Sequence, residues 1–386
     1  MKNHTEKHPL SAKKIAILII YAVIAICLLF TVLSFNDLPG IMKQLEKVNY
    51  WYIMLGVLMV LLYMACYPIS LCLLTKARKC DIKMSTTYSI AMTEHFFNGI
   101  TPLATGGQPF QAHSYTRAKV KISESTGLLL TNLLIYMIVT TGFSLTGLFF
   151  FSTLTEHIDP WWIPIIIVGY SLNFMVLVVI FLLGTSSKVR GALMRCIRFI
   201  CKISFLKRFE SKADRLQSYF ENVQSSFKNL MHNKRCFILA LLSKILSFAF
   251  LYSSSFFILL AMGITVSIGE WFMILAGTSF AITAVGFIPT PGASGGVEGS
   301  AGQVFKSIII HVMGVSIVPM AANMANGVML IWRLLSYYLV MLISLLFYIG
   351  IEVYFNKKAR KERLEKLLAE AERENSTGKE DDYDDE

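Results

Sequence analysis

Residues 101–107 read TPLATGG and residues 290–296 read TPGASGG, and each copy interrupts a stretch of otherwise apolar sequence. Proline removes a backbone donor and glycine opens dihedrals that other residues avoid, so each copy predicts a break between two helices. At membrane depth, backbone without partners survives only when buried in protein or lining a wet cavity. Two matching breaks therefore predict two helical hairpins that meet around a polar site, where free helix N-termini can face an anion. The competing reading is that Thr-Pro and Gly-Gly merely make two unrelated tight turns.

The surrounding chain favours a bilayer. Its 386 residues are 55% hydrophobic with a mean hydropathy of +0.57, outside the range of soluble domains. The seven cysteines are scattered without a C-x-x-C pair or neighbouring histidines, so neither a zinc site nor a disulfide framework is expected. No metal and no cofactor is expected at all. Lys13 and Lys14 precede an apolar run from Ile15 to Leu33 that is longer than a signal-peptide core and lacks a small-x-small cleavage site, which predicts a retained first span.

About 20 apolar residues cross a bilayer core. By that measure full spans are expected near residues 14–35, 51–74, 124–151, 161–184, 235–262 and 319–353. The segments 88–112 and 269–312 are the broken hairpins. The expected fold is an all-α integral membrane protein of about six full spans plus two broken or re-entrant helical hairpins arranged as an inverted-topology repeat.

Lys and Arg gather at the N-terminus, at Lys76–Lys83, at Arg117–Lys121 and through 186–234, and these parts are expected in the cytoplasm. The connections marked by Glu156, Asp159 and Glu270 are neutral or acidic and are expected outside. Segment 88–112 then enters and returns on the cytoplasmic side, and segment 269–312 on the opposite side. Whether each crosses fully is open to parity. In the linker 186–234, apolar residues recur at helical spacing, first from Val189 to Ile203 and again at Leu216, Phe220, Val223, Phe227 and Leu230, predicting two amphipathic helices at the cytoplasmic surface. Residues 1–355 form the polytopic domain in this reading, and 356–386 a charged cytoplasmic tail that starts helical and basic and turns acidic.

Ionisable residues at membrane depth cost roughly 2.5–3.5 kcal/mol on insertion scales and usually face an interior partner or cavity. Arg333, Lys244, Glu298 and Glu94 are such residues, and Asn98, Thr101, Gln108, Thr290 and Ser294 add neutral hydrogen-bonding groups near the breaks. These nine are the expected substrate-binding residues: Arg333 and Lys244 toward a phosphate, and Glu298 or Glu94 holding the cation in place or carrying a coupling proton. The alternative for Arg333 and Glu298 is a purely structural pair locking the last span to the second hairpin. Pro102, Gly106, Gly107, Pro109, Pro289, Pro291, Gly292, Gly295 and Gly296 are the expected hairpin-shaping residues. No nucleophile–base set or nucleotide loop is present, so no catalytic residue is expected, and no recognition module accompanies the basic residues to suggest nucleic acid.

FFNGITPLATGGQPFQ (96–111), FIPTPGASGGVEGS (287–300) and WRLLSYYLVMLISLLFY (332–348) together resemble the lysylphosphatidylglycerol synthase transmembrane region, or flippase-like domain family, over about residues 15–350. The resemblance implies a stand-alone relative of the flippase half of the aminoacyl-phosphatidylglycerol system, in a bacterial cell (inner) membrane with both termini cytoplasmic. The first family motif falls on Asn98, Thr101, Pro102, Gly106, Gly107, Gln108 and Pro109, and the second on Pro289, Pro291, Gly292, Gly295, Gly296 and Glu298, with Arg333 as the arginine of the final helix. No soluble aminoacyl-transferase domain follows the membrane part here, so the chain is not expected to make the aminoacyl lipid. The expected function is translocation of a phospholipid, aminoacyl-phospholipid or related polar lipid between leaflets. The expected partners are anionic or aminoacylated phospholipid, further copies of the chain, or a separate lipid-synthesising enzyme. The alternatives are an ion-coupled transporter of a small anion and a non-transporting scaffold for such an enzyme.

Overall fold

The computed structural model describes residues 48–201, 213–314 and 318–380, with Ala22 and Glu46 besides. Apart from Ala22, the expected first span at 14–35 lies outside the described residues.

Five described stretches are long and apolar enough to cross a membrane: Tyr50–Ala77, Ile122–Thr155, Trp162–Thr185, Lys234–Ala261 and Met320–Glu370. They correspond to the remaining five expected spans. The first is two helices, α1 (Tyr50–Cys66) and α2 (Ile69–Ala77), because Pro68 cannot donate into the helical ladder. The second is α5 (Ile122–Thr146), a 3₁₀ turn and α6 (Phe151–Thr155). The third is α7 (Trp162–Thr185), whose most apolar window is only 11% buried, so its side chains are presented outward as a lipid-facing helix requires. The fourth is α10 (Lys234–Ala261), packed along α1 and α2. The last runs through α13 (Val318–Arg333), a π-helical turn at Leu334–Leu339, and α14 (Val340–Glu380). No residue breaks α14 where the tail was expected to begin. Residues 381–386 lie outside the description.

Both interrupted segments are helix–loop–helix hairpins. The first joins α3 (Met84–Ile100) to α4 (Gly107–Arg117), and the second joins α11 (Trp271–Val285) to α12 (Gly296–Met313). At 1.5 Å per residue the longest arm is about 27 Å and the shortest about 17 Å, less than the roughly 30 Å core. In the linker, α8 (Ser187–Cys201) precedes α9 (Ala213–His232). The apolar stripe of α9 is covered by protein: Val223, Phe227 and Leu230 are buried, and Gly127 and Gly184 leave room for Ser226 and Phe227.

The rod made by α13 and α14 sets the direction of the hairpins. α13 packs along α12, and its end, Arg333, reaches the tip of the second hairpin at Gly292. One turn later Tyr337 reaches the tip of the first hairpin at Gly99, then Ser344 touches Met92 and Phe96, and Glu352 pairs with Arg117 at the base of α4. The two hairpins thus approach from opposite ends of the rod and meet tip to tip.

Candidate substrate site

The repeated heptapeptides fold alike. Leu103 and Ala104 have φ of 57° and 51°, and their counterparts Gly292 and Ala293 have φ of 61° and 51°. Ala104 N donates to Thr101 O at 3.2 Å as Ala293 N does to Thr290 O at 3.0 Å. Thr105 Oγ1 donates to Pro102 O at 3.0 Å as Ser294 Oγ does to Pro291 O at 2.8 Å. Two unrelated turns would not share this set. The tips also touch: an isolated antiparallel bridge joins Pro102 to Pro291, the same position in each copy. Antiparallel pairing of equivalent residues is the relation that a local two-fold axis produces.

The loops differ where helix α4 and helix α12 begin. Asn98 Oδ1 accepts from Gly107 N at 2.9 Å, and Thr101 Oγ1 accepts from Gly106 N at 2.9 Å while donating to Phe97 O at 2.7 Å. These side chains satisfy N–H groups at the start of α4 that have no helical acceptor. At α12 the same task falls to Glu298, three residues into the first turn, whose Oε2 accepts from Gly295 N at 2.6 Å. Thr290 Oγ1 donates to Ser294 O at 2.8 Å. Asn98, Thr101, Thr290 and Ser294, placed near substrate by the sequence reading, therefore spend these polar atoms within the loops. Pro109 sits in the first turn of α4, where its missing N–H costs nothing.

Two charged clusters flank the tips. In the first, Arg333 Nε donates to Glu298 Oε1 at 2.8 Å and Nη2 to Gly292 O at 2.7 Å, with the guanidinium 4.1 Å from the Tyr337 ring centroid. The Arg333 and Glu298 side chains are 6% and 12% exposed. In the second, Lys244 is fully buried, its Nζ donating to Tyr67 O at 3.2 Å and lying 3.0 Å from the Tyr67 ring centroid. The break at Pro68 explains this acceptor, because disrupting the ladder there frees carbonyls that need partners. Lys244 takes that of Tyr67, and Tyr88 OH reaches Ala65 O at 3.3 Å. Glu94 faces the same space, accepting from Gln108 Nε2 at 3.2 Å and Gln111 Nε2 at 3.3 Å.

The candidate residues thus fall into two groups, Arg333, Glu298, Thr290 and Ser294 with the second hairpin, and Glu94, Asn98, Thr101, Gln108 and Lys244 with the first. Tyr337 links them. Its hydroxyl donates to Gly99 O at 2.8 Å, and a Cβ on Gly292 would come within 2.5 Å of its ring. The sequence reading passed over Tyr337, Tyr67 and Ser344. For Tyr67 the signal was present as a Tyr-Pro pair inside a span; Tyr337 and Ser344 follow Arg333 in an otherwise apolar run and carry no local signature.

The arrangement defines a multi-pass, all-helical membrane protein with two broken hairpins joined at their tips. The family model for the lysylphosphatidylglycerol synthase TM region matches residues 15–344, and the chain belongs to that family. A search of curated proteins gave no match.

Proposed function

We propose that this protein is a lipid translocator, an inverted-topology repeat whose two halves rock against each other where the hairpin tips meet. The observation that carries the reading is the tip-to-tip junction at Pro102 and Pro291, with one buried cation on each side, Arg333 and Lys244. In transporters built on inverted repeats, broken helices meeting at the repeat interface form the substrate site. Here the headgroup of an anionic or aminoacylated phospholipid passes the loops while its chains stay in the surrounding lipid, consistent with apolar outer helices such as α7. Arg333 and Lys244 receive the phosphate, while Glu298 and Glu94 balance their charge when no substrate is bound. The setting is a bacterial cell membrane with both termini on the cytoplasmic side.

Reconstitution into vesicles with labelled phosphatidylglycerol and lysylphosphatidylglycerol tests this directly. Movement between leaflets that falls with Arg333→Ala in folded protein supports it, and no movement of any lipid class defeats it.

One observation favours a second reading. The Arg333–Glu298 pair is satisfied on both sides, by Gly292 O and by Gly295 N, as expected of a lock. A scaffold for a lipid-synthesising enzyme would need no more. In that case Arg333→Ala changes expression or association with the enzyme and leaves lipid movement at the background of empty vesicles.

A further inference from the structure

Of the two cations beside the hairpin tips, Arg333 has a carboxylate in contact and Lys244 does not. Lys244 Nζ meets a carbonyl and an aromatic face, both neutral. Among the described residues no carboxylate oxygen lies within 4.0 Å of it, and Glu94 acts on it only through the field. Around this separated pair stand Tyr63 from α1, Tyr67 at the C-cap of that helix, His95 from α3, Gln108 and Gln111 from α4, and Tyr136 from α5. The His95 ring packs 4.3 Å from that of Tyr67 and 5.4 Å from that of Tyr63. Among the described residues, His95 Nε2 and Gln111 Oε1 are buried with no hydrogen-bond partner. Glu94 and Lys244 are the carboxyl and the amine of this buried cluster.

Net charge in a buried site is expensive, because an uncompensated ion has lost its hydration and gained no partner. With no anion bound, Glu94 and Lys244 hold one titratable proton between them and no net charge. A phosphate arriving at Lys244 takes over as its counter-ion and leaves Glu94 as an excess negative charge. The charge returns to zero when a Glu94 oxygen takes a proton from water.

We infer that a phosphate anion binds at Lys244 together with one proton on Glu94, so that anion and proton enter and leave this site as a unit. The inference rests on the translocator reading for its setting, and it makes the movement of an anionic lipid proton-linked. No covalent bond to the lipid forms or breaks.

Isothermal titration calorimetry on the full chain in detergent, with short-chain phosphatidylglycerol near neutral pH in buffers of different ionisation enthalpy, counts the proton directly. The phosphodiester keeps its single charge in this range, so any proton taken up belongs to the protein. The expected result is uptake of one proton per lipid by the wild type and, for Lys244→Gln, binding weakened about tenfold or more with no proton taken up. No uptake by the wild type, undiminished uptake by Lys244→Gln, or no binding at all overturns the inference. The wild-type count stands alone should a variant fail to fold. Repeating the titration with glycerophosphoglycerol, the same headgroup without chains, separates the sources: weaker binding than the lipid supports a lipid phosphate, and equal binding overturns the lipid as ligand. Proton-linked binding by a protein that moves no lipid removes the translocator reading and leaves the linkage standing. Lipid movement without proton uptake does the reverse.

Discussion

Tyr337 holds the tips of both hairpins, donating to Gly99 O at 2.8 Å from its hydroxyl while its ring lies where a Gly292 side chain would be. Gly292→Ala therefore combines a clash at 2.4–2.5 Å with a φ of 61° that alanine tolerates poorly. Gly295 has a φ of 86° but open space around the missing Cβ. Gly292→Ala is expected to lower stability by about 2–4 kcal/mol and Gly295→Ala by about 1 kcal/mol. Adding Tyr337→Ala to Gly292→Ala should recover the steric part of the loss, and thermal unfolding in detergent reads all three.

Removing Arg333 leaves the half-buried Glu298 without its cation. Arg333→Ala is expected to cost about 3–5 kcal/mol, and Arg333→Lys to recover little, because an ammonium cannot reproduce the fixed fork that reaches both Glu298 and the Gly292 carbonyl. The double variant Arg333→Ala/Glu298→Ala should cost less than the sum of the singles, with a coupling of about 1–3 kcal/mol in the cycle. Strict additivity would mean that the pair does not interact in the folded protein.

How much of this was legible in the sequence depended on how local each cause was. Uninterrupted apolar length marked five described spans because the bilayer sets one requirement on every residue of a run. Proline and glycine marked both hairpins because each acts on its own backbone. The loop-holding part of Asn98 and Thr101 was not legible for the opposite reason: they satisfy N–H groups at residues 106 and 107 from the end of the preceding helix, whereas a cap is sought immediately before the helix it serves. The π-helical turn after Arg333 has no residue code, and the contact between Tyr337 and Gly99 spans 238 positions. The hold of Tyr67 on Lys244 spans 177, yet its cause, the Tyr-Pro break, was there to be read.

Cys80 lies in the loop between α2 and α3, outside the spans. Burial, reinforced by Glu124 and opposed by Arg78, pushes its thiol up to about 11. The thiolate is the species that alkylates, so at neutral pH labelling should be about two orders of magnitude slower than for a free cysteine. The rate should rise about tenfold per pH unit until the pH nears 11. Glu124→Gln takes away a negative charge and releases Arg78 from its 2.8 Å ion pair, and both changes favour the thiolate. Maleimide kinetics on a variant retaining only Cys80 should show faster labelling after that change; a rate independent of pH would exclude the raised thiol.

The bridge between Pro102 and Pro291 offers the most direct test of how the halves move. Neither proline has an N–H to give, so the two face each other as a non-hydrogen-bonded antiparallel pair, for which the Cα separation is about 4.5 Å. Disulfides accept Cα separations of about 4.4–6.8 Å. Pro102→Cys/Pro291→Cys in a cysteine-free background should therefore cross-link on mild oxidation, detected by mass spectrometry of the joined peptides. Lys119→Cys/Pro291→Cys, with one cysteine at the base of the first hairpin, should not. If the tips must part for a headgroup to pass, the oxidised protein will stop moving lipid and a reductant will restore it, while each single variant keeps moving lipid under both conditions. Undiminished movement by the fully cross-linked protein would mean that the headgroup takes a path other than the junction of the two loops.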